Sequence, residues 1–384
     1  MEFTFLTANQ IVFKAGAIGE LKDHVGRFGK HFLLVVDPFL KNSETLNKVR
    51  EQLDAMGKKY TIYTEVFYEP TVEQTDEIAE MAIKEGCDTV MSIGGGSNID
   101  AGKATAALIT NGTPSIDYME VVGKGKIVEK EPVPFIAVPT TAGTGSEVTK
   151  NAVLGSKVHN FKRSMRSNMM LANLSIVDPE LTLGCPKSVT ANSGIDAMTH
   201  LIEAYVTWRA TPVSDGLALK GIELGGKYLA RCFDDGSDLE ARTGMAAASL
   251  MGGMAFANSG LGAVHGIGMA VGILYHVPHG EAMGVLLPHI MKLNAPHVEE
   301  RMARVGEALT GKRYQTDKAA CEAAVEFIKE LQQHLQIKPD FRHLNIPDDQ
   351  VLPLAKASFG TSMTSNPLQL SAEEWEDFLR KEIV

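Results

Sequence analysis

The chain has 384 residues, of which 44% are hydrophobic and 22% are charged, close to the averages of globular proteins. This composition excludes a disordered tail, a collagen-like fibre and a coiled coil, and the length suggests two or three domains. Lys and Arg number 37 against 47 Asp and Glu, so the net charge is −10. An acidic chain without a dense basic run is a poor candidate for binding nucleic acid or an anionic membrane.

The cysteines and the N-terminus indicate a cytoplasmic protein. The four cysteines lie far apart and form no CxxC motif, so we interpret them as reduced thiols. The start, MEFTFLTANQ, has no basic stretch before an apolar run, which argues against a signal peptide. No apolar run reaches the ~18 residues of a membrane-spanning helix. We therefore expect no membrane partner and a cytoplasmic location.

Short β-rich runs alternate with helical patterns in the first half of the chain. Each run ends in a turn or loop signal, and the apolar run FLLVV is typical of a strand that is covered on both faces. This alternation predicts βαβ units around a parallel sheet. The predicted strands are 32–36, 60–66, 89–93, 135–138 and 175–177, and the predicted helices are 43–56, 71–85 and 98–109.

The pattern changes near residue 185. Beyond it, apolar residues follow helical spacing and no convincing strand occurs. The glycine-rich segment SGLGAVHGIGMAVG predicts close packing against another helix or a ligand. We therefore expect an α/β domain over residues 1–185 and an all-helical domain over residues 186–384. The predicted helices of the second domain are 188–207, 214–233, 239–257, 280–293, 296–309 and 316–335.

Three glycines follow the predicted strand 89–93 and precede a helix, in the run GGGSNID. Free backbone N–H groups and the helix dipole favour a phosphate at such a position. The alternative is a tight turn without a ligand; the strand–loop–helix context favours a diphosphate site. The run is not the dinucleotide fingerprint, because Ile99 stands where its third glycine belongs, and it is not a Walker A loop.

Two further features lie at predicted strand ends. Asp37 follows the first strand, where a carboxylate can accept hydrogen bonds from an adenosine ribose and repel a 2′-phosphate. The alternative role of Asp37 is a turn former before Pro38. The loop PTTAGTGSE also follows a strand, and its small hydroxyl residues suit contacts with ribose and phosphate. In ordinary dinucleotide folds the acid follows the glycine loop, so the reversed order here predicts a variant topology.

Four residues in the second half have the chemistry of a metal site. Asp196 and His200 are one helical turn apart in a largely apolar helix, where an unpaired acid is costly. His265 and His279 follow downstream. Three imidazoles and one carboxylate suit a divalent ion such as Fe²⁺ or Zn²⁺. Glu203 lies on the same helix as Asp196, and we leave open whether it orients a ligand or belongs to a solvated face.

Several long motifs, in order, resemble the iron-containing (group III) alcohol dehydrogenases over nearly the whole chain. These motifs are GGGSNID, PTTAGTGSEVT, DAMTHLIEAY, GAVHGIG and YHVPHGEAMGVLLPH. The resemblance implies an α/β nucleotide-binding domain with a parallel sheet and an all-α metal-binding domain, the dehydroquinate synthase-like fold of that family. It places the active site in the cleft between the domains, and it implies a dimer or a larger homo-oligomer.

The resemblance also implies roles for individual residues. The metal ligands match Asp196, His200, His265 and His279, and Asp37 matches a position that favours NAD over NADP. Positions that match the cofactor site are Asp37, Gly95, Gly96, Ser97, Asp100, Thr140, Thr141, Thr144, Asn151 and Lys162, of which Asn151 also borders the substrate.

One departure from the family pattern concerns the substrate side. Many members carry a second histidine four residues after the third ligand, where this chain has Met269. His276 is a candidate to replace it in catalysis, and a loop histidine without a role is the alternative. Phe256 and Met269 are candidates for lining the substrate pocket, with core packing as the alternative. The basic segment 162–167 could face an anionic substrate or simply solvate a hairpin.

The predicted function is therefore a metal-dependent, NAD(H)-linked alcohol dehydrogenase or aldehyde reductase. Its substrate is a small alcohol or aldehyde whose oxygen is polarised by the metal. Two alternatives remain at this stage: a metal- and NAD-dependent lyase that resembles dehydroquinate synthase, and a non-catalytic nucleotide-binding protein. The lyase branch usually uses one Glu and two His as ligands, which fits this chain less well.

Overall fold

The computed structural model describes residues 2–67, 69–156, 158–159 and 161–384. The chain forms two compact units. One unit spans Leu6–Leu183, and the other spans Gly184–Val384 together with the first residues up to Phe5. We refer to them as the α/β unit and the helical unit.

A six-stranded sheet forms the centre of the α/β unit. Its strand order is β1-β8-β5-β4-β2-β3, and every neighbouring pair is parallel. Central strands are buried on both faces, which explains the apolar run FLLVV in β2. The strands of this sheet are β1 (Ile11–Phe13), β2 (His31–Val36), β3 (Lys59–Tyr63), β4 (Thr89–Gly94), β5 (Phe135–Pro139) and β8 (Leu174–Val177).

Helices cover both faces of this sheet. Alternate strand residues such as Phe32, Leu34 and Val36 pack with α1 and α2 in one apolar cluster. On the opposite face α4 lies so close to β4 that a Cβ atom at Gly102 would be 1.9 Å from Ser92 Oγ. The helices of the unit are α1 (Leu21–Val25), α2 (Glu44–Ala55), α3 (Val72–Glu85) and α4 (Gly96–Asn111), and a separate antiparallel hairpin consists of β6 (Asn151–Ser156) and β7 (Phe161–Arg166).

The helical unit contains nine helices in its described residues, and α5 lies at its centre. From Gly194 to Val206 every residue of α5 is buried, and α5 packs against α6, α7 and α9. The helices are α5 (Lys187–Val206), α6 (Pro212–Asp234), α7 (Leu239–Ser259), α8 (Ala263–Tyr275), α9 (His279–Asn294), α10 (Glu299–Thr310), α11 (Asp317–His334), α12 (Asp348–Ala357) and α13 (Ala372–Glu382).

The structure confirms the predicted fold class and corrects several details. The strand predicted over 60–66 ends at Tyr63, because only its first residues pair with β2. The short edge strand β1 and helices α8, α12 and α13 were not predicted. The glycine-rich segment forms α8, and Gly268 allows Met283 of α9 to approach it. Among the described residues no single helix is long and apolar enough to cross a membrane; α7 and α8, bent by 100°, reach that length and hydropathy only together.

Candidate metal centre and nucleotide site

The helix α5 presents two predicted ligands on one buried face. Asp196 and His200 are separated by four residues, so their side chains project from consecutive turns. Both are nearly inaccessible, at 3% and 5% exposure. The Nε2 atom of His200 lies 3.7 Å from Asp196 Oδ1. The predicted one-turn pair is therefore present, and it faces the protein interior.

Two histidines from other helices converge on the same carboxylate oxygen. The Nε2 atoms of His265 on α8 and His279 on α9 lie 3.4 and 3.5 Å from Asp196 Oδ1. The ligand atoms of these three residues all lie within 4.8 Å of one another. Two ligand atoms that each lie about 2.1 Å from an ion at the tetrahedral angle are about 3.4 Å apart. The spacing therefore fits a shared ion.

Two atoms of this cluster are buried without a hydrogen-bond partner: Asp196 Oδ1 and His265 Nε2. Buried polar atoms in native proteins are almost always paired, because an unpaired one costs roughly 1–3 kcal/mol. Here one is an anionic oxygen and the other an imidazole nitrogen, which are common ligands of divalent first-row metals. The residues present therefore fit a divalent metal ion.

The electrostatics of the cluster favour added positive charge. Burial alone would raise the pKa of Asp196, but the nearby His200 and His279 hold that pKa well below its usual range. Burial opposes protonation of His265, yet the charges of Glu203 and Asp196 outweigh burial and raise the pKa of His265 to about 9. The cluster is therefore a site that attracts a cation.

Glu203 is not on a solvated face. Its side chain is buried, and its Oε2 lies 2.6 Å from Nδ1 of His265. The interpretation of Glu203 as a solvated residue is therefore wrong. The sequence suggested the alternative, a role in orienting a ligand, but could not identify which histidine it contacts.

The three candidates for the substrate side differ in their exposure to solvent: Phe256, Met269 and His276. The ring of Phe256 on α7 stacks on His200 with centroids 4.4 Å apart, and the His200 ring also stacks on His265. Met269 is partly exposed one turn beyond His265 on α8. His276 is exposed and ends α8 in a left-handed conformation, with φ of 56°. Phe256 thus contacts a predicted ligand directly.

In the α/β unit, predicted cofactor residues meet at one edge of the sheet. The strands are parallel, so Asp37 after β2, Gly95 after β4 and Thr140 after β5 all follow carboxyl ends. The backbone N–H of Asp37 donates to the Ile93 carbonyl, and that of Thr140 donates to Gly94, each at 2.9 Å. Ligands of open α/β sheets bind at this edge.

The two predicted loops pack against each other at the start of α4. Gly95 is the N-cap of this 16-residue helix and supplies no side-chain cap, and Ser97 lies in its first turn. A Cβ atom at Gly96 would lie 2.7 Å from Thr144 Cγ2, and one at Gly95 would lie 3.6 Å from Thr141. Glycine at 96 therefore permits contact between the loops as well as close approach of a phosphate.

The remaining predicted cofactor residues already have partners within the α/β unit. Asp37 Oδ1 accepts a hydrogen bond from Phe39 N–H, and burial raises the pKa of Asp37. Asp100 Oδ2 accepts from Val153 N–H, and its Oδ1 accepts from the Ser146 hydroxyl. The Lys162 ammonium group pairs with Glu69. Asp100 therefore connects α4 to the second loop and to β6.

Lys103 was missed by the sequence analysis. It is the only cation in the largely small and apolar sequence of α4, which was a signal that could have identified it. Its buried ammonium group donates to the carbonyl oxygens of Ser146 and Asn151, both at 2.7 Å, and to Thr149 Oγ1 at 3.1 Å. Lys103 therefore fixes the segment that leads from the second loop into β6.

Comparison with known families gives a match along both units. The family model "Iron-containing alcohol dehydrogenase" matches residues 8–179, and the model "Fe-containing alcohol dehydrogenase family, C-terminal" matches residues 190–383. The chain is 36% identical over 367 residues to alcohol dehydrogenase 4 of Schizosaccharomyces pombe, covering 94% of this chain and 85% of the relative. It is 35% identical over 360 residues to an NAD-dependent methanol dehydrogenase of Bacillus methanolicus, covering 93% of each.

Solved structures with a similar fold agree with the family match. A 1,3-propanediol oxidoreductase superposes with a TM-score of 0.94 at 32% identity and full coverage of both chains. A sulfoacetaldehyde reductase from Bifidobacterium kashiwanohense in complex with NAD⁺ gives a TM-score of 0.91 at 26% identity, covering 100% of this chain and 99% of that one. The comparisons confirm the predicted fold class, alcohol–aldehyde chemistry, and the cofactors NAD(H) and one divalent metal. The chain belongs to the iron-containing alcohol dehydrogenase family.

Proposed function

We propose that this enzyme interconverts a small uncharged alcohol and its aldehyde, with a divalent ion held by Asp196, His200, His265 and His279. The observation that carries this proposal is the pair of buried, unpaired ligand atoms, Asp196 Oδ1 and His265 Nε2, which lie 3.4 Å apart. The ligand set suits Fe²⁺ and Zn²⁺ alike. When bound, the ion supplies a Lewis acid for the substrate oxygen.

Residues beside the metal cluster shape the substrate side. The Phe256 ring stacks on His200, so its apolar surface excludes water from that ligand. We also assign Met269 to the substrate side of the metal cluster. This residue is partly exposed and lies one turn after His265 on α8. Because Met269 carries no titratable group, proton exchange with the substrate hydroxyl falls to water, the cofactor ribose or His276.

An uncharged substrate is supported by the pairing of the basic residues in β7. The Lys162 ammonium group pairs with Glu69, and Arg166 Nε lies 3.2 Å from Glu120 Oε1. Acids within the α/β unit thus offset two of the three cations in this strand. Most of the positive charge that suggested an anionic substrate is therefore paired within the α/β unit; the third cation, Arg163, donates to the Lys162 carbonyl oxygen.

We assign the nucleotide to the carboxyl ends of the strands in the parallel sheet. We propose that the diphosphate binds at Gly95, Gly96 and Ser97, where helix N–H groups face it. We assign the adenosine ribose to Asp37, whose charge disfavours a 2′-phosphate and selects NAD(H). The hydroxyl loop (Thr140, Thr141 and Thr144) and the hairpin residues Asn151 and Lys162 complete the proposed cofactor site, with Asn151 next to the substrate; Asp100 contributes by holding the second loop.

Three broader assignments complete the proposal. We assign residues 1–185 to the nucleotide-binding domain and residues 186–384 to the metal-binding and substrate domain. The two compact units support this division, although they separate after Leu183 and the residues up to Phe5 belong to the helical unit. The family resemblance supports a homodimer or a larger homo-oligomer. The four free cysteines of the described chain support a cytoplasmic location.

A substrate panel tests the function directly. Metal-free enzyme is reloaded with Fe²⁺ or Zn²⁺, and NADH oxidation is followed by absorbance with short neutral and short anionic aldehydes of matched length. We expect turnover with neutral aldehydes, dependence on the added metal, and a lower kcat/KM for the anionic series. Turnover restricted to anionic aldehydes would overturn the substrate assignment, and metal-independent turnover would overturn the assignment of the cluster.

A further inference from the structure

Glu203 contacts a metal ligand without being positioned to bind the metal itself. It lies on α5, seven residues after Asp196 and therefore on the same face two turns on. Its Oε2 is 2.6 Å from His265 Nδ1, the ring nitrogen opposite the one that faces Asp196. The carboxylate therefore reaches the far side of the imidazole.

The second oxygen of this carboxylate holds the beginning of α8. Glu203 Oε1 accepts the backbone N–H of Val264 at 2.7 Å. The N-cap residue of α8 is Gly262, which has no side chain to satisfy this donor. A Cβ atom at Gly262 would lie 2.8 Å from Glu203 Oε1, so glycine leaves the room that the carboxylate needs. One carboxylate thus fixes both the backbone and the ring at the His265 turn.

We propose that Glu203 is a positioning residue that fixes the His265 ring and sets the affinity of the site for its metal ion. This inference rests on the proposed metal site. A carboxylate that accepts a hydrogen bond from Nδ1–H leaves the Nε2 lone pair for the ion, and it restricts rotation of the ring. The ring is then oriented before the ion binds, so less conformational entropy is lost on binding.

The charge of Glu203 also balances the site. Asp196 and Glu203 together carry two negative charges, which equal the charge of a divalent ion surrounded by neutral imidazoles. Both carboxylates are buried, at 3% and 4% exposure, where a net charge is costly. Removing one of them would leave the loaded site with an uncompensated positive charge, and the ion should bind more weakly.

The experiment measures metal affinity in Glu203→Gln, which keeps the shape of the side chain and removes its charge. Metal-free protein is titrated with Zn²⁺ and with Co²⁺ against a chromogenic chelator. We expect the Kd of Glu203→Gln to rise roughly 10–100-fold over that of wild type. A Kd equal to that of wild type would overturn the inference.

Asn366→Ala is the matched control for a purely structural effect. The Asn366 side-chain oxygen accepts the backbone N–H of Ala263, so this residue supports the same turn of α8 one residue earlier. Asn366→Ala should lower the unfolding midpoint of the metal-free protein and leave the Kd for Zn²⁺ unchanged. If both variants weaken Zn²⁺ binding equally, Glu203 acts through the helix start rather than the ring, and the inference is wrong.

A double variant that combines Glu203→Gln with His265→Ala separates this inference from the metal assignment itself. Adding Glu203→Gln to His265→Ala should produce a much smaller further loss of Zn²⁺ affinity than it does in wild type, because the ring that Glu203 orients is gone. Equal losses in both backgrounds would overturn the role of Glu203 alone. Wild-type protein that binds neither ion would overturn the proposed metal site and this inference together.

Discussion

Each unit of the molecule contains a buried polar cluster. The two clusters differ in whether the chain itself supplies hydrogen-bond partners for the buried polar atoms. In the α/β unit, the Lys103 ammonium group has oxygen acceptors from Ser146, Thr149 and Asn151 at hydrogen-bond distance. In the helical unit, Asp196 Oδ1 and His265 Nε2 are buried and face each other without a hydrogen bond.

The difference separates a structural cluster from a binding site. A cluster whose donors and acceptors are all matched stabilises the fold and needs nothing from outside. Buried ligand atoms that converge without a hydrogen-bond partner, at a cost of roughly 1–3 kcal/mol each, persist where a ligand completes them. Changes at Lys103 should therefore affect folding, whereas changes at His265 should affect metal binding and activity.

The largest expected effect is that of His265→Ala. Loss of a ligand should remove the metal and lower kcat/KM by on the order of 10³-fold, because a bound metal contributes several kcal/mol of transition-state stabilisation. The unfolding midpoint of the metal-free protein should fall as well, because the variant leaves the buried Glu203 Oε2 without its partner. Metal content per chain and NADH-linked turnover measure the loss of metal and of activity. The control is His297→Ala, which removes an exposed histidine. Full metal occupancy in His265→Ala would contradict the assignment.

Lys103→Met tests the buried polar cluster of the α/β unit. Removing the buried cation leaves several oxygen acceptors and Asp100 uncompensated, so the free energy of unfolding should fall by about 3–5 kcal/mol. Urea titration measures this. The exposed pair of Lys48 with Glu44 provides the control, since Lys48→Met should cost at most about 1 kcal/mol. Equal losses in the two variants would show that the Lys103 cluster does not stabilise the fold.

Glu147, next to Ser146, gives the Lys103 region a pH dependence. Burial raises the pKa of Glu147 to about 7, although the charge of Lys103 opposes this. The folded state therefore retains a proton that the unfolded state releases above about pH 4.5, so the contribution of Glu147 to stability is lost as pH rises from about 4.5 to 7. This loss amounts to about 3 kcal/mol at 1.36 kcal/mol per pH unit.

Urea titrations of wild type and Glu147→Gln at pH 5 and pH 8 measure this contribution. The glutamine variant cannot ionise, so its stability relative to wild type should increase from pH 5 to pH 8. Identical pH dependences of the two proteins would contradict the assigned titration.

A smaller effect is expected for the nucleotide specificity of Asp37→Gly. Without the carboxylate, the preference for NADH over NADPH should decrease by roughly 10–100-fold in kcat/KM, or about 1.4–2.7 kcal/mol. Asp37→Asn separates the two functions of this residue, because it keeps an oxygen for Phe39 N–H and removes the charge. A wild-type enzyme that prefers NADPH would show that the role given to Asp37 is wrong.

The smallest effect is expected for Met269→His. Since Met269 is partly exposed, the change should cost less than about 1 kcal/mol of stability and leave the metal in place. An imidazole on the substrate side should alter the pH dependence of kcat/KM or the ranking of substrates. An unchanged profile and ranking, combined with a lower melting temperature, would place Met269 in the core instead.

Much of the fold and of the candidate site could be predicted from local patterns. The alternation of β-rich runs with helices indicated the parallel sheet, because strand and helix periodicities differ along the sequence. The four-residue spacing of Asp196 and His200 placed them on one face of α5. The hairpin of β6 and β7 was not predicted as strands, since its residues carry mixed polarity. The strand β1 was missed because it has only three residues and pairs with β8, which is distant in sequence.

The sequence by itself determined which residue types were available: a glycine loop before a helix, an acid after the first strand, and an Asp with three His in the second half. Only the tertiary structure decided how they combine. It placed Glu203 behind His265 and surrounded Lys103 with oxygens from a loop more than forty residues away. Hydrogen bonds between residues far apart in sequence leave no periodic pattern in the chain, because they depend on the packing of whole helices rather than on local spacing.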